Sequence, residues 1–250
     1  MNHKRRSQIA KMLEEQQTVT NKELMECFGI SIETVRRDIS YLEKQGILTK
    51  VYGGAVLKKV ASIEPLYTNR EQENNSEKQL IAEAAEALIN QNDIVFFDLG
   101  TTVEMVAKKI KKSKNVHAFT NAIRTAVALS EQCEEVILTG GRLRPKELSL
   151  SGSLTEMSLN KFNINTAIIG VAGVAENGFT DFITDEAGIR SQVIENSNNV
   201  IVVADYAKFG VQAMCKVCDW EDVDVLITDS KAPKELLNKI RKKGVKVIVV

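Results

Sequence analysis

From residue 77 onward the chain repeats one pattern. A short, wholly apolar run leads into a polar or glycine-rich step and then into residues with helical spacing. The runs are Ile94–Phe97, Val116–Phe119, Val136–Leu138, Ala167–Ile169, Val200–Ala204, Val223–Ile227 and Val245–Val250. Runs that are apolar at every position, rather than at alternate ones, suit strands covered on both faces. The intervening segments place Leu80, Ile81, Ala84, Ala85 and Leu88, then Val103, Val106 and Ile110, on helical stripes. Further helices are expected at 122–130, near 186–196 and near 234–243. Strands alternating with helices predict an α/β, Rossmann-like parallel sheet.

The polar steps at the ends of these runs carry more information than the runs themselves. The first run leads into Asp98-Leu-Gly100-Thr101-Thr102, the second into Thr120-Asn121, and the third into Thr139-Gly-Gly-Arg142. The fourth ends at Gly170-Val-Ala-Gly173 and the fifth at Asp205-Tyr-Ala-Lys208-Phe-Gly210. Open parallel sheets bind ligands beyond the carboxyl ends of their strands. Gly100-Thr101-Thr102 at a helix start offers free amides, two hydroxyls and the positive end of a helix dipole. With Asn121, Arg142 and Lys208 at equivalent strand ends, the pattern points to a small anionic ligand. Neither Gly-x-Gly-x-x-Gly nor a Walker A sequence is present, which disfavours a dinucleotide or ATP.

The first sixty residues read differently. Ile9, Met12 and Leu13 share one face of a helix expected from about Lys4 to Gln16. Thr20 and Glu23 form a capping-box pattern, with Val19 and Leu24 placed as a hydrophobic staple. A short helix, Asn21 to about Phe28, should end at Gly29, where glycine reaches the left-handed conformation cheaply. Ser31 caps a second helix whose buried stripe is Val35, Ile39 and Leu42. Thr34, Arg36, Arg37, Ser40 and Lys44 fall largely off that stripe, and Gly46 stops the helix. Two strands come next, Ile47–Tyr52 and Gly53–Leu57. This is a helix-turn-helix with a wing, in which Lys50 and Tyr52 are available to DNA.

Charge supports a division of labour. The chain totals 33 Lys/Arg and 33 Asp/Glu. Residues 1–60 nevertheless carry eleven basic and seven acidic residues, and the remainder carries the opposite excess. A basic head on an acidic body suits a head that meets an anionic partner. The expected organisation is a head at 1–58, a polar connector at 59–76 whose second half can turn helical, and a body at 77–250. No run approaches the length of a membrane span, and the N-terminus carries no apolar stretch of a secretory signal.

Other chemistry is poorly supported. His3 falls at an end expected to fray, and His117 in a strand where a half-buried, satisfied imidazole is expected, so no triad or histidine metal site is indicated. Cys215-Lys-Val-Cys218 is a lone pair without further ligands, and a reducing compartment is the default. Lys108–Lys112 reads as a helix C-terminus matched to its dipole. Trp220 is assigned to packing.

The residues from Ser31 to Ile39, with Thr34-Val-Arg36-Arg37-Asp38 at their centre, are followed by Leu42-Glu-Lys-Gln-Gly-Ile-Leu48 and by Val51-Tyr-Gly-Gly-Ala-Val56. Together they resemble the DNA-binding domain of DeoR-family bacterial repressors over nearly all of 4–57. The resemblance implies that the second helix docks in the major groove of double-stranded operator DNA. The candidate contacts are Thr20, Ser31, Thr34, Arg36, Arg37, Ser40, Lys44, Lys50 and Tyr52. Thr34 and Arg37 are assigned to base edges, and Arg36, Lys44 and Lys50 to phosphates. Asp38 is expected to pair with a neighbouring arginine, because an unpaired acid facing DNA would oppose binding.

The body resembles the sensor domain of the same family over about 77–230. The resemblance rests on Asp98–Thr102, Phe119–Asn121, Gly140–Arg142, Ile169–Gly173, Thr180–Glu186 and Ala204–Gly210. It implies a fold similar to pentose-phosphate isomerases and a phosphorylated sugar or related metabolite as effector. Carried over, the phosphate meets Gly100, Thr101 and Thr102, with Thr120 and Asn121 nearby. Asp98, Glu186 and Lys208 meet sugar hydroxyls or the carbonyl end, and Arg142 is a further candidate. Where the family has Asp-Ser-Ser-Lys, this chain has Asp205-Tyr-Ala-Lys208, so two hydroxyls are missing.

The alternative is an isomerase fused to a DNA-binding head. Pentose-phosphate isomerases place Asp-Gly-Ala-Asp-Glu after the fourth strand, whereas this chain has Gly170-Val-Ala-Gly173 and no lysine from 171 to 207. The expectation is therefore a cytoplasmic, ligand-responsive repressor of a carbohydrate-use operon. It would be a homodimer or homotetramer without catalytic residues, metal or cofactor.

Overall fold

The computed structural model describes residues 2–16, 18–44, 47–51, 53–57, 60–61 and 64–250. Gly46 and Tyr52 lie outside them, as do the side chains of His3 and Lys44.

The head contains α1 (Asn2–Gln16), β1 (Thr18–Thr20), α2 (Asn21–Phe28), α3 (Ile32–Lys44), β2 (Leu48–Val51) and β3 (Gly54–Leu57). The capping box is formed: the Glu23 amide donates to Thr20 Oγ1 at 3.1 Å, and the Thr20 amide donates to Glu23 Oε2 at 2.7 Å. Gly29 closes α2 at φ 59°. The predicted stripes converge, so that Ile9, Leu13, Val19, Leu24, Val35, Ile39 and Leu42 form one core with Leu48 and Ala55. β1 has no counterpart in the sequence pattern. It pairs antiparallel with β3 and makes the wing a three-stranded sheet in the order β1-β3-β2.

The connector carries β4 (Val60–Ala61) and α4 (Tyr67–Gln72). The body begins with α5 (Asn75–Leu88), then β5 (Ile94–Phe97), α6 (Thr101–Lys109), β6 (His117–Thr120), α7 (Ile123–Ser130) and β7 (Val136–Leu138). A hairpin, β8 (Arg142–Arg144) and β9 (Ser149–Ser151), leads to α8 (Ser153–Leu159) and β10 (Ile164–Gly170). Next come β11 (Gly173–Ala175), β12 (Gly178–Asp181), α9 (Thr184–Glu195), β13 (Ser197–Val203), β14 (Gln212–Ala213) and β15 (Cys215–Cys218). The described chain closes with β16 (Val225–Thr228), α10 (Lys234–Lys242) and β17 (Lys246–Val249).

All seven expected strands join one sheet, ordered β17-β16-β13-β10-β5-β6-β7, and every pair is parallel. Side chains alternate across it: Phe96 enters one apolar cluster, and Val95 and Phe97 the other. α5, α6 and α7 cover one face, while α8, α9 and α10 cover the opposite one. The strand order reverses between β5 and β10, and the crevice outside a sheet opens at such a reversal. The hairpin β8–β9 and a small antiparallel sheet β11-β12-β15 are additions that the apolar runs do not announce. Among the described residues no helix is long and apolar enough to cross a membrane.

Candidate functional site

The head presents α3. Arg36 and Arg37 are exposed, and among the described residues neither side chain has a hydrogen bond or ion pair. Asp38 is buried and held by Arg5 at 2.6 Å and Arg6 at 2.7 Å. Its partners therefore come from α1 rather than from its own helix, and Arg36 and Arg37 remain available to a ligand. Thr34 lies at the helix start, where its amide donates to Ser31 Oγ at 3.4 Å. Three other candidates are already engaged. Ser40 Oγ donates to the Arg36 carbonyl at 2.7 Å, Lys50 pairs with Glu43 at 3.1 Å, and Thr20 serves the capping box.

In the body, a cleft opens where β5 and β10 diverge. It is lined by Leu99–Val103 after β5, Gly170–Ala172 after β10, Asp181, Phe182, Arg190 and Val203, together with Lys208 and the connector's Glu64 and Arg70. Gly100 adopts φ 114°, ψ 155°, a conformation that a side chain would disfavour. The cap makes no side-chain hydrogen bond to α6, whose first intrahelical bond runs from the Glu104 amide to the Gly100 carbonyl at 2.9 Å. Thr101 to Val103 line the cleft at a helix start that has no side-chain cap, the arrangement that favours an anion. Lys208 faces them with no carboxylate within ion-pair distance among the described residues. Burial pushes its ammonium below the usual lysine range, and the nearby Asp205 opposes that shift. The cavity volume is about 40 Å³, room for a few waters or one compact anion.

The floor of the cleft is a buried ion triad. Arg190 donates from Nε to Asp98 at 2.6 Å and from NH1 to Asp181 at 2.7 Å. Asp98 also accepts from the Gly170 amide at 3.0 Å, locking β5 to β10 at the reversal. Burial alone would lower the Arg190 pKa, but Asp181 and Asp98 outweigh it and hold the guanidinium firmly charged.

The structure thus gathers four of the nine proposed effector residues, Gly100, Thr101, Thr102 and Lys208, around one cleft. Asp98 lies beneath it, already committed to Arg190. The other four lie outside, because the hairpin β8–β9 occupies that ground. Thr120 accepts from the Ala122 amide at 3.0 Å, and Asn121 binds Leu150 through both its backbone carbonyl and its side chain. Arg142 is exposed and pairs with Asp185. Glu186 is buried, receiving Ser149 at 2.7 Å and Arg144 Nε at 2.9 Å. Burial pushes its carboxyl up against the pull of Arg190, Ser149 and Arg144.

Sequence reasoning misses Arg190, Asp181, Arg70 and Glu64. The signal for Arg190 is its spacing: it lies four residues after Glu186, on a helical face shared with Val193 and Ile194. Arg70 and Glu64 have no local signal, because their segment has the composition of a free connector. It is instead packed, with Tyr67 buried and its hydroxyl donating to Glu104. His117 proves to be exposed rather than half-buried. Cys215 and Cys218 lie on one strand, β15. Cys218 is sunk in the core, where burial pushes its thiol up to about 12.

Comparisons agree with these two regions. A family model described as DeoR-like helix-turn-helix domain matches residues 5–60, and one described as DeoR C terminal sensor domain matches 73–230. An Escherichia coli O157:H7 transcriptional regulator named for the aga operon is 35% identical, covering 98% of this chain and 93% of its own. The glycerol-3-phosphate regulon repressor of Escherichia coli K12 is 30% identical over 93% of each chain. The transcriptional repressor GlcR of Bacillus subtilis is 29% identical over 96% of this chain and 93% of its own. Ribose 5-phosphate isomerase A of Methanocaldococcus jannaschii overlaps 55% of each chain at 16% identity and a TM-score of 0.39, a likeness without functional weight. A winged helix-turn-helix whose Arg36 and Arg37 are unpaired among the described residues, a sheet whose reversal opens a cleft lined by Lys208, Arg70 and Arg190, and whole-length relatives of one kind converge: the chain belongs to the DeoR family of transcriptional regulators.

Proposed function

We propose that this protein represses a carbohydrate-use operon in the cytoplasm and is modulated by a phosphorylated sugar or related metabolite. The observation that carries the ligand class is the cleft at the β5/β10 reversal. There, uncapped α6 amides face Lys208, an ammonium without an ion-pair partner among the described residues. A phosphate supplies the missing negative charge. The names of the relatives, among them a glycerol-3-phosphate regulon repressor, support the same class.

In this reading, residues 1–58 form the operator-binding head, 59–76 the connector and 77–250 the sensing body. Thr34 and Arg37 read base edges, while Arg36, Lys44 and Lys50 hold phosphates. The body holds two or four copies together so that two heads meet half-sites about one helical turn apart. The effector shifts the balance between head placements only to the extent that it binds them unequally.

The protein acts without catalysis. Proton transfer on a sugar phosphate requires a positioned, available base. Each carboxylate here is ion-paired to an arginine, which favours its charged form as a structural partner: Asp98 and Asp181 pair with Arg190, and Glu64 and Glu186 with Arg144. A fluorescence-anisotropy titration on operator DNA at fixed salt, with and without a panel of sugar phosphates, tests the reading. Tight binding modulated by one phosphate is expected; turnover of any panel member would replace the sensor reading with the isomerase one.

A further inference from the structure

Two cleft-lining residues, Glu64 and Arg70, belong to the connector rather than to the sensing body. Arg70 holds three connections at once. Its guanidinium donates to Glu147, pairs with Glu64 Oε1 at 3.5 Å, and donates from Nε to the Pro65 carbonyl at 3.1 Å. Its carbonyl receives the Lys78 ammonium and, at 3.5 Å, the Thr101 hydroxyl. The residue that roofs the cleft is therefore fastened to the start of α6, where an anion would sit. The cleft has room for a phosphate group, and an anion that enters it meets Arg70 and competes with the carboxylates that hold it.

The pairing pattern identifies what moves. Glu147 is 3% exposed, whereas Glu64 is 17% exposed and makes the longer contact to Arg70. If Glu64 leaves, Arg144 loses its 2.5 Å contact with that carboxylate but keeps buried Glu186 at 2.7 Å. Arg70 keeps Glu147 and gains the ligand. No buried charge is left alone, which is the condition under which an ion pair exchanges cheaply.

Resting on the reading of this cleft as an anion site, we propose that Glu64 is an internal stand-in for the ligand's phosphate. It holds Arg70 through the 3.5 Å contact. An incoming phosphate takes Arg70 over and expels Glu64, together with the connector strand that precedes it. That strand, β4, pairs with β14 through Val60 opposite Gln212 and Ala61 opposite Ala213. β14 lies just beyond Lys208. The two cations that meet the anion therefore flank the segment leading to the head, and charge exchange in the cleft becomes displacement of the connector.

The test uses the full-length protein and inorganic phosphate, titrated by calorimetry at constant ionic strength, with Lys208→Ala as the control for site occupancy. Glu64→Gln keeps the shape and removes the competing charge, so phosphate should bind about two- to fivefold more tightly, the scale of one partly exposed ion pair. Glu64→Ala should move the same way. Hydrogen exchange at 60–66 should quicken when wild type binds phosphate and already be fast in Glu64→Gln without it. Phosphate binding that depends on Lys208 but is unchanged or weaker in Glu64→Gln overturns the stand-in and leaves the anion site intact. Slower exchange at 60–66 on binding overturns it as well. If wild type and Glu64→Gln both ignore phosphate, the anion site itself falls, and the stand-in with it.

Discussion

Head and body use arginine in opposite ways. On α3, Arg36 and Arg37 are exposed and unpaired among the described residues, and the one acid beside them, Asp38, is buried against Arg5 and Arg6. In the body, Arg190 is buried between Asp98 and Asp181, and Arg144 lies between Glu64 and Glu186. Their helix starts differ as well. Ser31 offers a side-chain oxygen to the start of α3, whereas Gly100 leaves α6 uncapped. A cation left unpaired at the surface is available to a large polyanion. A cation neutralised in the interior fixes geometry. The cleft combines the two, with the paired Arg190 as its floor and, as its wall, Lys208, which has no ion pair among the described residues.

The largest expected effect tests the structural side of that contrast. Arg190→Met strands two buried carboxylates and should cost about 3–5 kcal/mol. Arg37→Ala should stay within about 0.5 kcal/mol of wild type, as surface changes do. Urea midpoints measure both, and equal midpoints would erase the distinction. On operator DNA the order reverses. Arg37→Ala should weaken specific binding about ten- to hundredfold, the value of about 1–3 kcal/mol for a base contact. Arg36→Ala should weaken all sequences alike and reduce the salt slope by about one. Competition anisotropy at several salt concentrations separates the two.

Lys208→Ala sharpens the comparison from the other side. Operator affinity should persist while phosphate affinity falls about tenfold or more, since a bond to a charged group contributes about 1.5–3 kcal/mol. A normal ligand response in this variant would move the site elsewhere. Thr20→Ala should have a modest effect, about 1 kcal/mol of stability lost with the capping box. Thermal unfolding of the full chain reads it out, and a further loss of DNA affinity would assign Thr20 a contact beyond capping.

Much of the fold is legible because its determinants are local. The capping box at Thr20 and Glu23, the stripe Val35, Ile39 and Leu42, and the seven apolar runs each declare themselves within a few residues. Gly100-Thr101-Thr102 is legible for the same reason: a glycine at a strand end before a helix is a short-range pattern. Thr120, Asn121, Arg142 and Glu186 fall outside the cleft lining, a distinction hidden in the sequence because polar residues at strand ends look alike until the fold separates them. The Glu64–Arg70 pair is invisible because its segment is polar and becomes buried only against Glu104, Arg124 and Glu147, all distant in sequence.

By itself, the sequence determined the parallel sheet, the winged helix-turn-helix and the anion-favouring turn, since hydrophobic period, capping and glycine placement act over a few residues. Tertiary structure decided which charges are spent on each other and which are left for a partner. Gly54 shows the difference in small: an added Cβ would lie 2.0 Å from the Val19 carbonyl, a clash created only when β1 joins the wing. Ion pairs at Asp38, Arg190 and Arg70 are settled in the same way. Coulombic partners are chosen by distance through space, and chain folding alone sets that distance.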